Sequence, residues 1–185
     1  MAKLIYGTNI TLDGCCDHTK FSGGEDIHEY FAQLMRMADI LVYGRITYQM
    51  MVPYWPDVAK NKSGQSAVTN EFAQAFDAVS QIVVFSQTLD KPEGKNKRIV
   101  RANLKDEILA LKQEPGKNIL LGGVNLPSQI IELGLVDEFY FVVHPVIVGE
   151  GARLLKGIDL QEKLQLKLVE SKILSSGCIA LHYVK

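Results

Sequence analysis

Three short runs in the chain, ILVYG at 40–44, IVVFS at 82–86 and NILL at 118–121, have no alternation of apolar and polar residues. A strand with one face in water alternates. A strand without alternation has to be covered on both faces, as a parallel strand between two helix layers is. Helical patterns fill the spaces between these runs. IHEYFAQLMRMA has apolar residues at 27, 31, 34, 35 and 38, and LKDEILALKQ has them at 104, 108, 109 and 111, which is the spacing of one helix face. RITYQMMVPYW begins a helix that Pro53 stops, and SAVTNEFAQAFDAV and LPSQIIELG give two more. KLIYGTNI at 3–10 and RIV at 98–100 add strands. Near the end the pattern changes. DEFYFVVHPVIVG at 137–149 reads as one long strand, and KLQLKLVESKIL and CIALHYVK read as a hairpin around Ser175-Ser176-Gly177. The predicted fold is α/β, a single mixed, mostly parallel sheet flanked by helices on both faces, with a C-terminal antiparallel hairpin. It forms one domain over residues 1–185. AKNKSGQS and DKPEGKNK are expected surface loops.

The hydrophobic fraction of 47% suits a domain with a sizeable core, and a net charge of −1 with scattered Lys and Arg gives no nucleic-acid or membrane surface. The first residues are strand-like and lack the apolar stretch and cleavage site of a signal peptide, so the expected location is cytoplasmic. Cys15, Cys16 and Cys178 make no disulfide framework, and the four histidines have no metal-ligand spacing, so no metal is expected.

In an open parallel sheet, ligands bind beyond the carboxyl ends of the strands. Three such ends carry unusual residues. One is Gly44, followed by Arg45 and Thr47 at a helix start. The second is Ser86 with Gln87 and Thr88. The third is the pair Gly122-Gly123, placed where NILL feeds a helix. Glycine costs chain entropy, so this pair serves a tight turn, close packing against a neighbour, or a ligand resting on the peptide. Taken singly, these glycines are turn formers, Arg45 is a solvated charge and Ser86 ends a strand. Together they suit a phosphorylated ligand, because free N–H groups at helix starts bind anions. VGEGARL at 148–154 imitates a dinucleotide fingerprint, but no third glycine or further βαβ unit follows.

In this order and spacing, NITLDG, VYGRITYQMM with YWP, IVVFSQTL, ILLGGVNL and LGLVDEFYFVVHPVIVGEG resemble the dihydrofolate reductase-like superfamily. Within it, the chain is similar to stand-alone relatives of the C-terminal reductase domain of the bifunctional riboflavin-biosynthesis deaminase–reductase. The resemblance runs nearly end to end. It implies an oxidoreductase that uses NADPH. The cofactor-binding residues it implies are Gly44, Arg45 and Thr47 against the phosphates, Ser86 and Gln87 beside the adenosine 2′-phosphate, and Gly122, Gly123, Val124, Asn125 and Leu126 along the pyrophosphate and nicotinamide. It also implies a cis bond between Gly122 and Gly123, as in dihydrofolate reductases.

The substrate half matches less well. His28, with Glu29 adjacent, stands where dihydrofolate reductases carry a helix carboxylate, and Leu121 stands where the riboflavin reductase domain has a glutamate. The catalytic candidates are Asp13, which is also an Asp-Gly turn former, and His28, whose ordinary pKa suits proton transfer. Asn9, Asp13, His28 and Trp55 are the expected substrate-binding residues. The expected reaction is hydride transfer to a pterin-like or ribosylaminopyrimidine-like small molecule. The alternative is a non-enzymatic nucleotide-binding protein that kept the fold and lost the substrate anchor. The apolar hairpin at the end is an exposed edge that needs covering, and the resembling families dimerise through it, so a homodimer is expected.

Overall fold

The structure, a computed structural model, describes residues 1–92, 94, 96–116 and 118–185. The chain runs β1 (Leu4–Thr11), α1 (Glu25–Arg36), β2 (Ala38–Gly44), α2 (Arg45–Met51), α3 (Tyr54–Asn61), α4 (Ala67–Asp77), β3 (Gln81–Phe85), β4 (Lys97–Val100), α5 (Leu104–Gln113), β5 (Asn118–Leu121), α6 (Asn125–Glu132), β6 (Glu138–His144), β7 (Lys167–Ile173) and β8 (Ile179–Val184). A 3-10 turn at His18–Lys20 interrupts the loop after β1. The strands form one eight-stranded sheet in the order β4-β3-β2-β5-β1-β6-β8-β7. All pairs from β4 to β6 are parallel, and the last two strands are antiparallel. The expected mixed, mostly parallel sheet is therefore what forms.

The unalternated runs are explained by two cores, one on each face of the sheet. Ile5, Leu41, Tyr43, Ile82, Val84 and Leu120 point to one side and pack with Leu34 and Met35 of α1 and Phe72 and Phe76 of α4. Their sequence neighbours Leu4, Tyr6, Ile40, Val42, Val83, Ile119 and Leu121 point to the other and meet Ile108 and Leu111 of α5 and Ile130 and Ile131 of α6. Every second residue serves one layer and the residues between serve the other.

Several boundaries differ from the sequence reading, three of them by more than a turn's fraying at the ends. Pro53 lies past the end of α2, as expected, but it also caps the start of α3, a helix the sequence reading did not separate. Proline is tolerated at a helix start because an N–H there has no partner to lose. As a result, part of the expected loop AKNKSGQS is helical. The long strand at 137–149 stops at His144, because Pro145 has no N–H for the ladder. The hairpin begins at Lys167 rather than 163, while Leu164 and Leu166 pack on the second core. The loop DKPEGKNK includes Glu93 and Lys95, which lie outside the described residues. No cis peptide bond occurs among the described residues, so the cis bond implied for Gly122-Gly123 is absent. Cys15, Cys16 and Cys178 are free and buried.

Candidate functional site

The carboxyl ends of the parallel strands lie along one edge of the sheet. Gly44 is the register partner of Phe85, and Val42 and Tyr6 are both partners of Leu121. The turns that follow β2 and β5 therefore emerge side by side. They touch: a Cβ on Gly44 would sit 3.6 Å from the Leu126 Cβ, and one on Gly123 would run into the Thr47 hydroxyl. Gly123 has φ +97°, a conformation glycine adopts without steric cost. Gly122 donates its N–H to Val42 O at 3.2 Å, and a Cβ there would lie 2.6 Å from Tyr43 Cε1. Gly123 O accepts from the Tyr6 hydroxyl at 3.0 Å. Burial pushes the Tyr6 pKa well up, which keeps this donor protonated. Close packing and the turn account for both glycines whether or not a ligand rests on them.

No side chain caps the start of α2 or of α6. Arg45 is exposed, with its guanidinium on Gln49 of the same helix at 3.2 Å. Asn125 is exposed, Val124 caps α6, and Leu126 is half-buried against the second core. Ser86 follows β3, and its Oγ accepts from the N–H of Thr88 at 3.3 Å and of Leu89 at 3.0 Å. This turn leaves Gln87 exposed beside it. The donor set is cationic and rich in N–H and hydroxyl groups, which fits phosphate oxygens.

The proposed substrate residues fall into two groups. His28 on α1 and Trp55 on α3 come together: their ring centroids are 5.9 Å apart, and Phe72 of α4 lies 5.4 Å from His28 and 4.4 Å from Trp55. Desolvation in this aromatic nest lowers the His28 pKa against a small opposing pull from Glu25, so the ring is neutral at pH 7. Glu29 is exposed and accepts from Gln33 on its own helix at 3.3 Å. Leu121 is wholly buried in the second core.

Asn9 and Asp13 are engaged elsewhere. Asn9 Oδ1 meets His144 Nε2 at 2.9 Å, and the His144 ring stacks on Phe21 at 4.3 Å. Asp13 clamps two loops. Its carboxylate accepts from Thr11 Oγ1 at 2.6 Å, from the N–H of Gly149 at 2.8 Å and of Val148 at 3.3 Å, and from Arg153 at 3.1 Å. The Thr11 hydroxyl and these other donors hold its pKa well below the usual carboxylate range. A carboxylate so engaged stays ionised at neutral pH, and its bonds tie the loop after β1 to the loop at 148–153. The sequence reading missed Arg153 and the Phe21–His144 stack. Arg153 sits in VGEGARL, 140 residues from its partner, and no local pattern links the two. Two cavities lie away from the Gly44 and Gly122-Gly123 turns. One of about 660 Å³ runs along the outer edge of β4, and another of about 290 Å³ lies at the amino ends of β2 and β3.

Residues 2–180 match the family described as the RibD C-terminal domain. The chain belongs to that family. Among curated proteins it is 31% identical over 189 residues to the uncharacterised protein YyaP of Bacillus subtilis, covering 98% of this chain and 94% of that one. Among solved structures it is similar to a candidate riboflavin biosynthesis protein of Shewanella sp. PV-4, with TM-score 0.72 at 18% identity over 100% of this chain and 98% of the other. It is also similar to the diaminohydroxyphosphoribosylaminopyrimidine deaminase/5-amino-6-(5-phosphoribosylamino)uracil reductase of Thermotoga maritima, with TM-score 0.67 at 16% identity over 99% of this chain and 56% of that one. The chain spans little more than half of that two-activity protein. These likenesses show the RibD reductase-like fold, as the motif resemblance implied. No helix among the described residues is long and apolar enough to cross a membrane.

Proposed function

We propose that the chain is an NADPH-dependent reductase of a small ribosylaminopyrimidine-like or pterin-like molecule. The observation that carries the reading is the pairing of two glycine-bearing turns at adjacent strand ends, Gly44 against Leu126 and Gly123 against Thr47, beside Arg45 and Ser86. Arg45, Thr47, Ser86 and Gln87 would hold the phosphates of the adenosine half, and Val124, Asn125 and the 122–123 peptides the pyrophosphate. When bound, NADPH supplies the hydride. Hydride transfer asks the protein mainly to orient two rings and exclude water. The nest of His28, Trp55 and Phe72, whose rings meet tilted or edge-on, offers apolar ring surface and a neutral imidazole that can donate and accept at a heterocycle edge. Asp13 fixes the loop at 145–153 over the ends of β1 and β6.

A binding protein without turnover is the second reading. It is favoured by the buried Leu121 side chain and the solvent-facing Glu29, which leave both family anchor positions without a carboxylate in the nest. Fluorescence titration with NADPH, followed by NADPH oxidation with a 5-amino-6-(5-phosphoribosylamino)uracil-type acceptor and with dihydrofolate, separates the two. Saturable binding with oxidation of one acceptor is the expected result. Binding with no oxidation selects the binder, and no binding defeats both. We further propose that the protein acts as a homodimer joined through its terminal hairpin.

A further inference from the structure

We propose that Asp26 is a positioning residue: it ties the turn of the terminal hairpin to the first turn of α1 and so holds His28 in place against Trp55. The inference rests on the reading of His28, Trp55 and Phe72 as the substrate nest and adds the residue that fixes one of its walls.

Asp26 lies in the first turn of α1, where a carboxylate ordinarily serves its own helix. One of its oxygens serves a distant element instead. Asp26 Oδ2 accepts from the Ser175 hydroxyl at 3.0 Å and from the Ser176 N–H at 2.7 Å, partners 149 and 150 residues away in sequence. Its other oxygen, Oδ1, accepts from the Ile27 N–H at 2.9 Å. The two segments are also close at the backbone: a Cβ on Gly24 would lie 3.8 Å from the Ser176 Cβ. Beneath them, Ile27 shares a small core with Leu174 and Cys178, the residues that bracket the hairpin turn.

The start of α1 needs such a tether. Its N-cap is Gly24, which offers no side chain to the free N–H groups, and an uncapped helix end opens readily. His28 sits in this end, and its N–H donates to Gly24 O at 3.1 Å. Two residues turn a helix by about 200°, so Asp26 and His28 project to opposite sides of it. Asp26 meets the hairpin, and His28 meets Trp55 and Phe72. The loop before the helix backs the ring as well, since a Cβ on Gly23 would lie 3.7 Å from His28 Nε2. A bond that fixes one side of the turn therefore fixes the reach of the other.

Trp55 is the sole tryptophan of the chain. Its emission reports on His28, because an imidazolium quenches a neighbouring indole more than a neutral imidazole does. The test follows this emission in the full chain between about pH 8 and 5. In the parent the midpoint lies below the ordinary histidine value of 6.5, and His28→Leu should abolish it. Asp26→Ala is expected to move the midpoint up by about half a pH unit or more, as the loosened ring meets water. Removal of a negative charge alone does the reverse, because it makes the imidazolium less stable, so the sign separates position from charge. Ser175→Ala, which keeps the carboxylate, should move the midpoint up by less. Asp26→Asn, whose amide oxygen can still accept both hairpin bonds, should stay closest to the parent. In the reductase assay, Asp26→Ala should raise KM for the acceptor at least fivefold and change NADPH affinity less than twofold. An unchanged or lowered midpoint in Asp26→Ala, even with a reduced melting temperature, would overturn the proposal. An unchanged KM, or a titration that survives His28→Leu, would overturn it as well. The titration uses no substrate, so it stands apart from the reductase reading. A parent chain that oxidises no NADPH would defeat that reading, while the midpoint still decides the role of Asp26.

Discussion

Gly123 and Thr47 show how tightly the two turns are built. The residue holds φ +97° and faces the Thr47 hydroxyl. A left-handed non-glycine residue costs about 1–3 kcal/mol, and the collision with Thr47 adds to it. Gly123→Ala should therefore lower the melting temperature by roughly 4–10 °C in a domain of this size, and adding Thr47→Ala should recover part of the loss. An unchanged melting temperature would mean the turn is not constrained in this way. His28, half-buried, and His144, buried, give a second expectation. Desolvation lowers the pKa of both His28 and His144 from the model-peptide value of 6.5. Between their folded and unfolded pKa values the unfolded chain binds more protons, so stability is full above about pH 6.5 and falls as pH drops below it. The acids with lowered pKa, Asp13, Asp17, Asp26 and Glu138, lose their contribution only at lower pH. Chemical denaturation between pH 7.5 and 5.5 should show declining stability, with a shallower slope in His28→Leu. A flat profile in the parent chain would contradict the buried neutral state.

At the scale of elements, much of the architecture was readable because burial and periodicity are local signals. The doubly covered strands declared themselves by losing alternation, and α5 is bounded where its apolar spacing put it. Other features depended on long-range contacts. Pro53 reads as a stop, yet it starts α3, where Val58 is buried and Trp55 packs half-buried against the first core. The positions of Gly122 and Gly123 were conspicuous, but their packing reason, Tyr43 and Thr47, appears only when β2 and β5 are neighbours. The Asp13 clamp was invisible because its partners lie at 148, 149 and 153. That clamp is testable through the loop it holds. In Asp13→Ala, amide exchange at Val148 and Gly149 should accelerate, while amides in β2 and β3 stay protected. Unchanged exchange at both loop positions would mean that other contacts order the loop.

At the scale of the whole molecule, β7 is one of the two edges of the sheet, and each of its residues is exposed, with Leu168 49%, Val169 54% and Ile173 79% accessible. An edge of this kind invites another strand. Antiparallel pairing of two copies about Ser171 sets Glu170 against the partner's Lys172 and Val169 against the partner's Ile173, both favourable cross-strand pairs. Light scattering at micromolar concentration should give the mass of two chains, and Val169→Asp with Ile173→Asp should give one. A parent chain that is already monomeric would remove this interface. The central claim, that the carboxyl ends of β2, β3 and β5 bind a phosphorylated dinucleotide, is tested most directly by a crystal structure of the protein soaked with NADPH. The expected result is density along the Gly44 and Gly122-Gly123 turns, with the 2′-phosphate beside Arg45, Ser86 and Gln87. Density confined to the cavity at the amino ends of β2 and β3, or none at saturating concentration, would contradict it.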